Sequence, residues 1–115
     1  MSEPAIDLAV FGALKETTGA EFALELVDTF LQEAPAMLRD LRDALATGDA
    51  DKFRRVAHSL KSNSNTFGAL ALGAKARDLE RASLSKLPAN GEALLDALDA
   101  EYAGAAAALS GLRNE

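Results

Sequence analysis

The chain has one histidine, His58, and its neighbours are those of a nucleophile that meets an anion. Arg54, His58 and Lys61 are spaced i, i+4 and i+7, which on a helix stacks their side chains along one side, and Ser62 follows His58 by one turn. An imidazole with cations above and below suits an incoming dianionic phosphoryl group. Residues 52–67 contain Lys52, Arg54, Arg55 and Lys61 and no acid, while the rest of the chain carries all 18 acidic residues. A local basic strip therefore sits on a protein whose net charge is −6.

The element that must position this strip is a helix from about Asp49 to Phe67. Phe53, Val56, Ala57, Leu60 and Phe67, with the small Ser64, fall on one narrow face at helical spacing. His58 lies roughly 150° from the middle of that face and so points to water. Gly48 suits the end of the preceding helix and Asp49 the cap of this one. The run Ser62-Asn63-Ser64-Asn65-Thr66 is unfavourable for helix by roughly 2–3 kcal/mol relative to alanine. Two readings stay open: the helix ends near Lys61 and a polar loop begins, or small residues are kept beside His58 so that another protein's backbone can approach.

Composition bounds the function. With 115 residues, 49% of them hydrophobic, residues 1–115 are expected to form one domain around one core. Alanine and leucine dominate, only 5% of residues are aromatic, and the pattern reads all-α. Without cysteine there is no disulfide, no thiolate metal site and no thiol nucleophile. The N-terminus lacks a signal-peptide pattern and no apolar run is long enough to span a bilayer, so a soluble, cytoplasmic protein is expected, with no membrane partner. Net negative charge argues against nucleic-acid binding.

In chain order, Ile6, Leu8, Val10, Phe11 and Leu14 behind Pro4 predict a short capping helix or turn that ends near Gly19. Phe22, Leu26, Val27, Phe30, Leu31, Ala34, Leu38, Leu41 and Leu45 keep a helical stripe from about Ala20 to Thr47. The stripe holds its phase across Pro35, which predicts one kinked helix and not two. After Gly68, which resets the chain, Ala69, Leu72, Ala76 and Leu79 mark a helix to about Ser83. A loop with Pro88, Asn90 and Gly91 follows. Leu95, Leu98, Tyr102, Ala105, Leu109 and Leu112 define a final long helix, and Met37 and Tyr102 are assigned to the core. The expected architecture is an antiparallel four-helix bundle with a short N-terminal capping helix.

The run from Ala57 to Ala69 (AHSLKSNSNTFGA), followed by Leu72 and Leu79-Glu80, resembles the signature of the histidine-containing phosphotransfer (HPt) domain. Phe30-Leu31-Gln32-Glu33-Ala34-Pro35 resembles the family's preceding helix, so the likeness covers roughly residues 20–83; the final helix is similar in pattern alone. It implies that His58 is the phosphoacceptor, exchanging a phosphoryl group with receiver-domain aspartates in a multistep two-component phosphorelay. Lys61 would stabilise the phosphoryl oxygens. Ser62, where many members have glycine, would leave room for the partner, with Gln32, Arg54, Arg55 and Asn65 as candidate partner contacts. Glu80 fits the family pattern, or else pairs with Arg77 one turn back. The implied partners are response-regulator receiver domains and a hybrid histidine kinase. The implied metal is Mg²⁺ supplied by the receiver, with no metal or cofactor of the chain's own.

Three classes of function compete: a phosphocarrier, a docking module that binds receivers independently of phosphorylation, and an enzyme with its own active site. The last is disfavoured because no cysteine, second histidine, Gly-rich phosphate loop or carboxylate pair accompanies His58. A histidine kinase is excluded on size. A free-standing monomer is expected, binding its partners modestly and in a salt-sensitive way.

Overall fold

The computed structural model describes residues 5–86 and 91–113, and among them it is all-helical. Five helices follow in order: α1 (Leu8–Thr18), α2 (Ala20–Thr47), α3 (Ala50–Thr66), α4 (Leu70–Lys86) and α5 (Gly91–Arg113). Helix α3 packs on α4 and α2, and α5 packs on α2 and α4, so the four longer helices form a closed cycle of neighbours. Helix α1 lies against α2 and, more lightly, α3.

The boundaries follow from local chemistry. Asp7 caps α1, its Oδ1 accepting from the amides of Ala9 at 2.9 Å and Val10 at 3.3 Å. Gly48, at φ 73°, closes α2 in the left-handed region, and the Asp49 carboxylate then accepts from the Lys52 amide at 3.0 Å. Helix α2 runs past Pro35 as a single element because Val27, Phe30, Ala34, Leu41 and Ala44 stay buried on one stripe across the proline. Helix α4 reaches Lys86, three residues beyond the expected Ser83, and Leu84 packs against the core there. Gly91, expected in a loop, is instead the buried first residue of α5. The expected loop residues Pro88 and Asn90 lie outside the described residues.

The polar run after His58 is helical to Thr66. Its intrinsic penalty is offset by tertiary contacts of the residue that follows: Phe67 is buried and lies against Phe30 with ring centroids 5.2 Å apart, whereas Ser64 is buried with its hydroxyl unpartnered and adds to the cost. Phe30 in turn meets the edge of Tyr102, partly buried against the core as is Met37. The α3–α4 turn is built on Gly68, at φ 85°. Its carbonyl accepts from the Asp7 amide at 2.8 Å, and a Cβ at Gly68 would stand 2.7 Å from the Asp7 carbonyl. Gly68 thus does more than reset the helix: it lets the strand of chain before α1 close over the hairpin.

Charge pins α5 to α2 at both ends. Arg42 reaches Glu92 at 2.7 Å, Asp96 at 2.7 Å and Asp99 at 2.6 Å, while Arg113 near the end of α5 reaches Asp28 at 2.8 Å. The hydrogen bonds it donates to Asp99 and Asp96 raise the Arg42 pKa well above its ordinary value. The acids facing Arg42 are spaced one helical turn apart, so these pairs hold α5 beside α2 without fixing a single register, and each is partly exposed and individually weak.

Two glycines separate backbone requirement from tolerance. Gly68→Ala should destabilise the fold by about 2 kcal/mol in urea unfolding, from positive φ and the Asp7 contact together. Gly104→Ala, whose added Cβ would meet nothing within 4 Å, should be neutral or stabilising by up to about 1 kcal/mol.

Candidate functional site

Ala57 and Leu60, both fully buried, hold the middle of α3 against the core and turn His58 between them to the solvent. The imidazole is 58% exposed. Its Nδ1 lies 2.7 Å from Oε2 of Glu80 on α4. The other oxygen of the same carboxylate accepts from Lys61 Nζ at 2.8 Å. Glu80 is 20% exposed and Lys61 25%, so the carboxylate is held in a partly dry seam between α3 and α4.

Hydrogen bonding from Lys61 first, and from His58 after it, holds the Glu80 carboxyl below its ordinary value against the opposing effect of burial. Glu80 is therefore ionised at neutral pH and can only accept. It follows that Nδ1 of the neutral His58 ring is the donor, and that the lone pair is left on Nε2. In the neutral ring the free nitrogen is thus the one not facing Glu80, and the ammonium of Lys61 sits on the other oxygen of that carboxylate.

Glu80 does not pair with Arg77, whose nearest acid is Asp78 at 3.8 Å. The sequence pattern placed Glu80 on its own helix; the hairpin places it across from His58. Both residues are eleven positions from Ala69 at the turn, and Asn65 and Gly73, which also meet, are each four positions from it. Counting outward from the turn is the signal that would have found the pair. A side chain at Gly73 would collide with the Asn65 amide, so glycine there lets α3 and α4 approach closely enough for Glu80 to span two partners.

The basic strip is less bare than residues 52–67 imply, because Asp51 stands just before it. Asp51 accepts from Arg55 Nε at 3.0 Å and Arg54 Nη2 at 2.9 Å, and these two arginines, Arg55 foremost, lower its pKa. Arg54 is thus held toward the start of α3, and the cation bonded into the His58 cluster is Lys61, one turn on. Ser62 is exposed one turn beyond His58, and its carbonyl accepts from Thr66 Oγ1 at 2.9 Å. Gln32 and Asn65 are exposed, and Gln32 takes no part in the His58–Glu80–Lys61 cluster. Among the described residues, no cluster of three or more His, Cys, Asp or Glu could hold a metal ion.

The Hpt domain family matches residues 25–108, which includes the site and most of α5. The chain belongs to the Hpt domain family. The match runs well beyond residue 83, so the final helix is part of the family likeness and more than a similar pattern. Its fold is similar to the crystal structure of histidine-containing phosphotransfer protein B (HptB) from Pseudomonas aeruginosa PAO1, with a TM-score of 0.88 and 31% sequence identity over 98% of this chain and 97% of that one. No curated protein matches it. Histidine phosphotransfer in a phosphorelay is accordingly the function of this Hpt protein, and no described helix is long and apolar enough to cross a membrane.

Glu80→Ala should lower stability at pH 7 by about 1 kcal/mol, since it strips a partner from both Lys61 and His58. The folded-state pKa of Glu80 is depressed, so its contribution is present above the ordinary glutamate value and lost as pH falls through the folded one. Urea titrations of wild type and variant should therefore converge in acid and differ at neutral pH.

Proposed function

We propose that His58 is the phosphoacceptor of this Hpt protein, and that it takes a phosphoryl group from an aspartyl phosphate of a receiver domain and returns it to another. The observation that carries this reading is the His58 Nδ1–Glu80 hydrogen bond of 2.7 Å, which leaves Nε2 as the open nucleophile, one helical turn from Lys61 along α3. The Nε2 lone pair attacks phosphorus in line. The bond from phosphorus to the aspartyl oxygen breaks, and the receiver carboxylate leaves with that electron pair. The ring keeps its Nδ1 proton and becomes a phosphoimidazolium whose positive charge faces Glu80. In the reverse step a receiver aspartate attacks phosphorus and neutral imidazole leaves.

Lys61 has two anions to serve. In the unphosphorylated protein it bonds Glu80, and when a phosphoryl dianion forms on Nε2 it turns toward the phosphoryl oxygens. Glu80 keeps its bond to Nδ1 throughout. Ser62, Arg54, Arg55, Asn65 and Gln32, all exposed, form the surface across which a receiver is received. We assign Mg²⁺ to the receiver, where it neutralises charge on the transferring group.

The same reading makes the chain a phosphocarrier without kinase activity of its own, one domain over residues 1–115, and a cytoplasmic monomer that serves receivers and a hybrid histidine kinase. Its architecture on this reading is an antiparallel four-helix bundle capped by α1, supported by the cycle of helix neighbours. Docking without transfer is the weaker alternative, since it gives no reason for an exposed histidine whose outer nitrogen is kept free.

Phosphoryl transfer from a panel of labelled phospho-receivers, with Mg²⁺, to wild type and His58→Gln tests the reading. Wild type should take up acid-labile, base-stable label and the variant none. Binding of receivers with no label on wild type would leave the docking alternative standing.

A further inference from the structure

Four side chains lie one helical turn from His58 on α3: Arg54 and Arg55 before it, Lys61 and Ser62 after it. Three of them already donate to acids. Arg54 and Arg55 bond Asp51 at 2.9 and 3.0 Å, and Lys61 bonds Glu80 at 2.8 Å. The fourth, Ser62, is exposed, and its hydroxyl has no partner among the described residues. A helical hydroxyl commonly turns back on the carbonyl four residues earlier, as those of Thr18, Thr29, Thr47 and Thr66 do at 2.8 to 3.1 Å. Ser62 makes no such bond to the His58 carbonyl, so its proton is free to be donated outward.

By the helical turn angle Ser62 falls about 40° to one side of His58 and Lys61 about 60° to the other. Glu80 holds Nδ1 on the Lys61 side, and the two nitrogens of an imidazole point in nearly opposite directions, so Nε2 faces away from Glu80. A phosphoryl dianion on Nε2 brings strong acceptor oxygens to that position. Lys61 must leave Glu80 to reach them, whereas Ser62 has only water to release. We propose that the Ser62 hydroxyl donates a hydrogen bond to the phosphoryl group carried on Nε2, and so stabilises phosphohistidine relative to the receiver's aspartyl phosphate. This rests on His58 being the phosphoacceptor. Phosphorus moves between the receiver carboxylate and Nε2, while Ser62 keeps its proton and forms no covalent bond. Ser62 then does more than leave room for a partner: it shifts where the phosphoryl group rests at equilibrium.

The test is the equilibrium constant for exchange between the full chain and whichever receiver of the panel labels wild type fastest, read from the label on both free proteins at the end point. That constant depends on the two phosphoproteins and not on how they dock. A change of room at Ser62 alters forward and reverse rates together and leaves it unmoved. Ser62→Ala removes the hydroxyl at nearly constant size, and Ser62→Gly removes it while opening the approach; circular dichroism checks that both fold. Each should lower the constant for phosphohistidine by about three- to tenfold, and by the same factor. An unchanged constant in both variants would overturn the proposal. A loss in Ser62→Ala that Ser62→Gly restores would overturn it too, since size and not the hydroxyl would then set the balance. Wild type that takes acid-labile label neither from phosphoramidate, a small donor that needs no docking, nor from any receiver would overturn the phosphoacceptor reading and this inference with it.

Discussion

One carboxylate, Glu80, holds the site together by accepting from His58 Nδ1 with one oxygen and from Lys61 Nζ with the other. Imidazole alone has two nitrogens of similar basicity and no reason to keep the outer one free. An ionised acceptor at Nδ1 removes that ambiguity, and the ammonium of Lys61 keeps the acceptor ionised. The price is that two donors and an acid must be kept in register on different helices. The requirement passes from the site to the α3–α4 hairpin, and from there to two glycines: Gly68, whose positive φ makes the turn, and Gly73, whose bare α-carbon admits the Asn65 amide.

The remaining structure serves to keep that hairpin still while leaving His58 in water. Phe53, Ala57, Leu60 and Ser64 anchor one face of α3, and Leu72, Ala76 and Leu79 anchor α4. Helix α5 closes the cycle and is held to α2 by Arg42 at one end and Arg113 at the other. A buried face for rigidity and an exposed imidazole for chemistry are compatible here because a helix presents both at once, about two-fifths of a turn apart.

Features that depend on one helix were legible in the sequence. The buried face of α3, the outward direction of His58, the Gly48–Asp49 junction and the unbroken α2 all follow from periodicity and capping within a single element. Features that depend on two elements were not. Glu80 was left between a fit to the family pattern and a pair with Arg77, because i, i+3 neighbours are visible in one dimension, whereas its partners face it across a turn. Asp51 escaped notice because the acid-free strip was counted from residue 52, one position after the carboxylate that binds both arginines. The polar run at 62–66 left loop and helix equally open, since propensity opposes helix there and tertiary burial of Phe67 decides it. Gly91 was read as a loop residue from its neighbours Pro88 and Asn90, although it begins α5.

The measurement closest to the central claim is the tautomer of His58, read from long-range ¹H–¹⁵N correlations of the imidazole at a pH where the ring is neutral. Nitrogen shifts should show Nδ1 protonated and Nε2 unprotonated in wild type, and Glu80→Ala should shift the balance toward the other tautomer. Protonation of Nε2 in wild type, or a tautomer ratio indifferent to the loss of Glu80, would contradict the account.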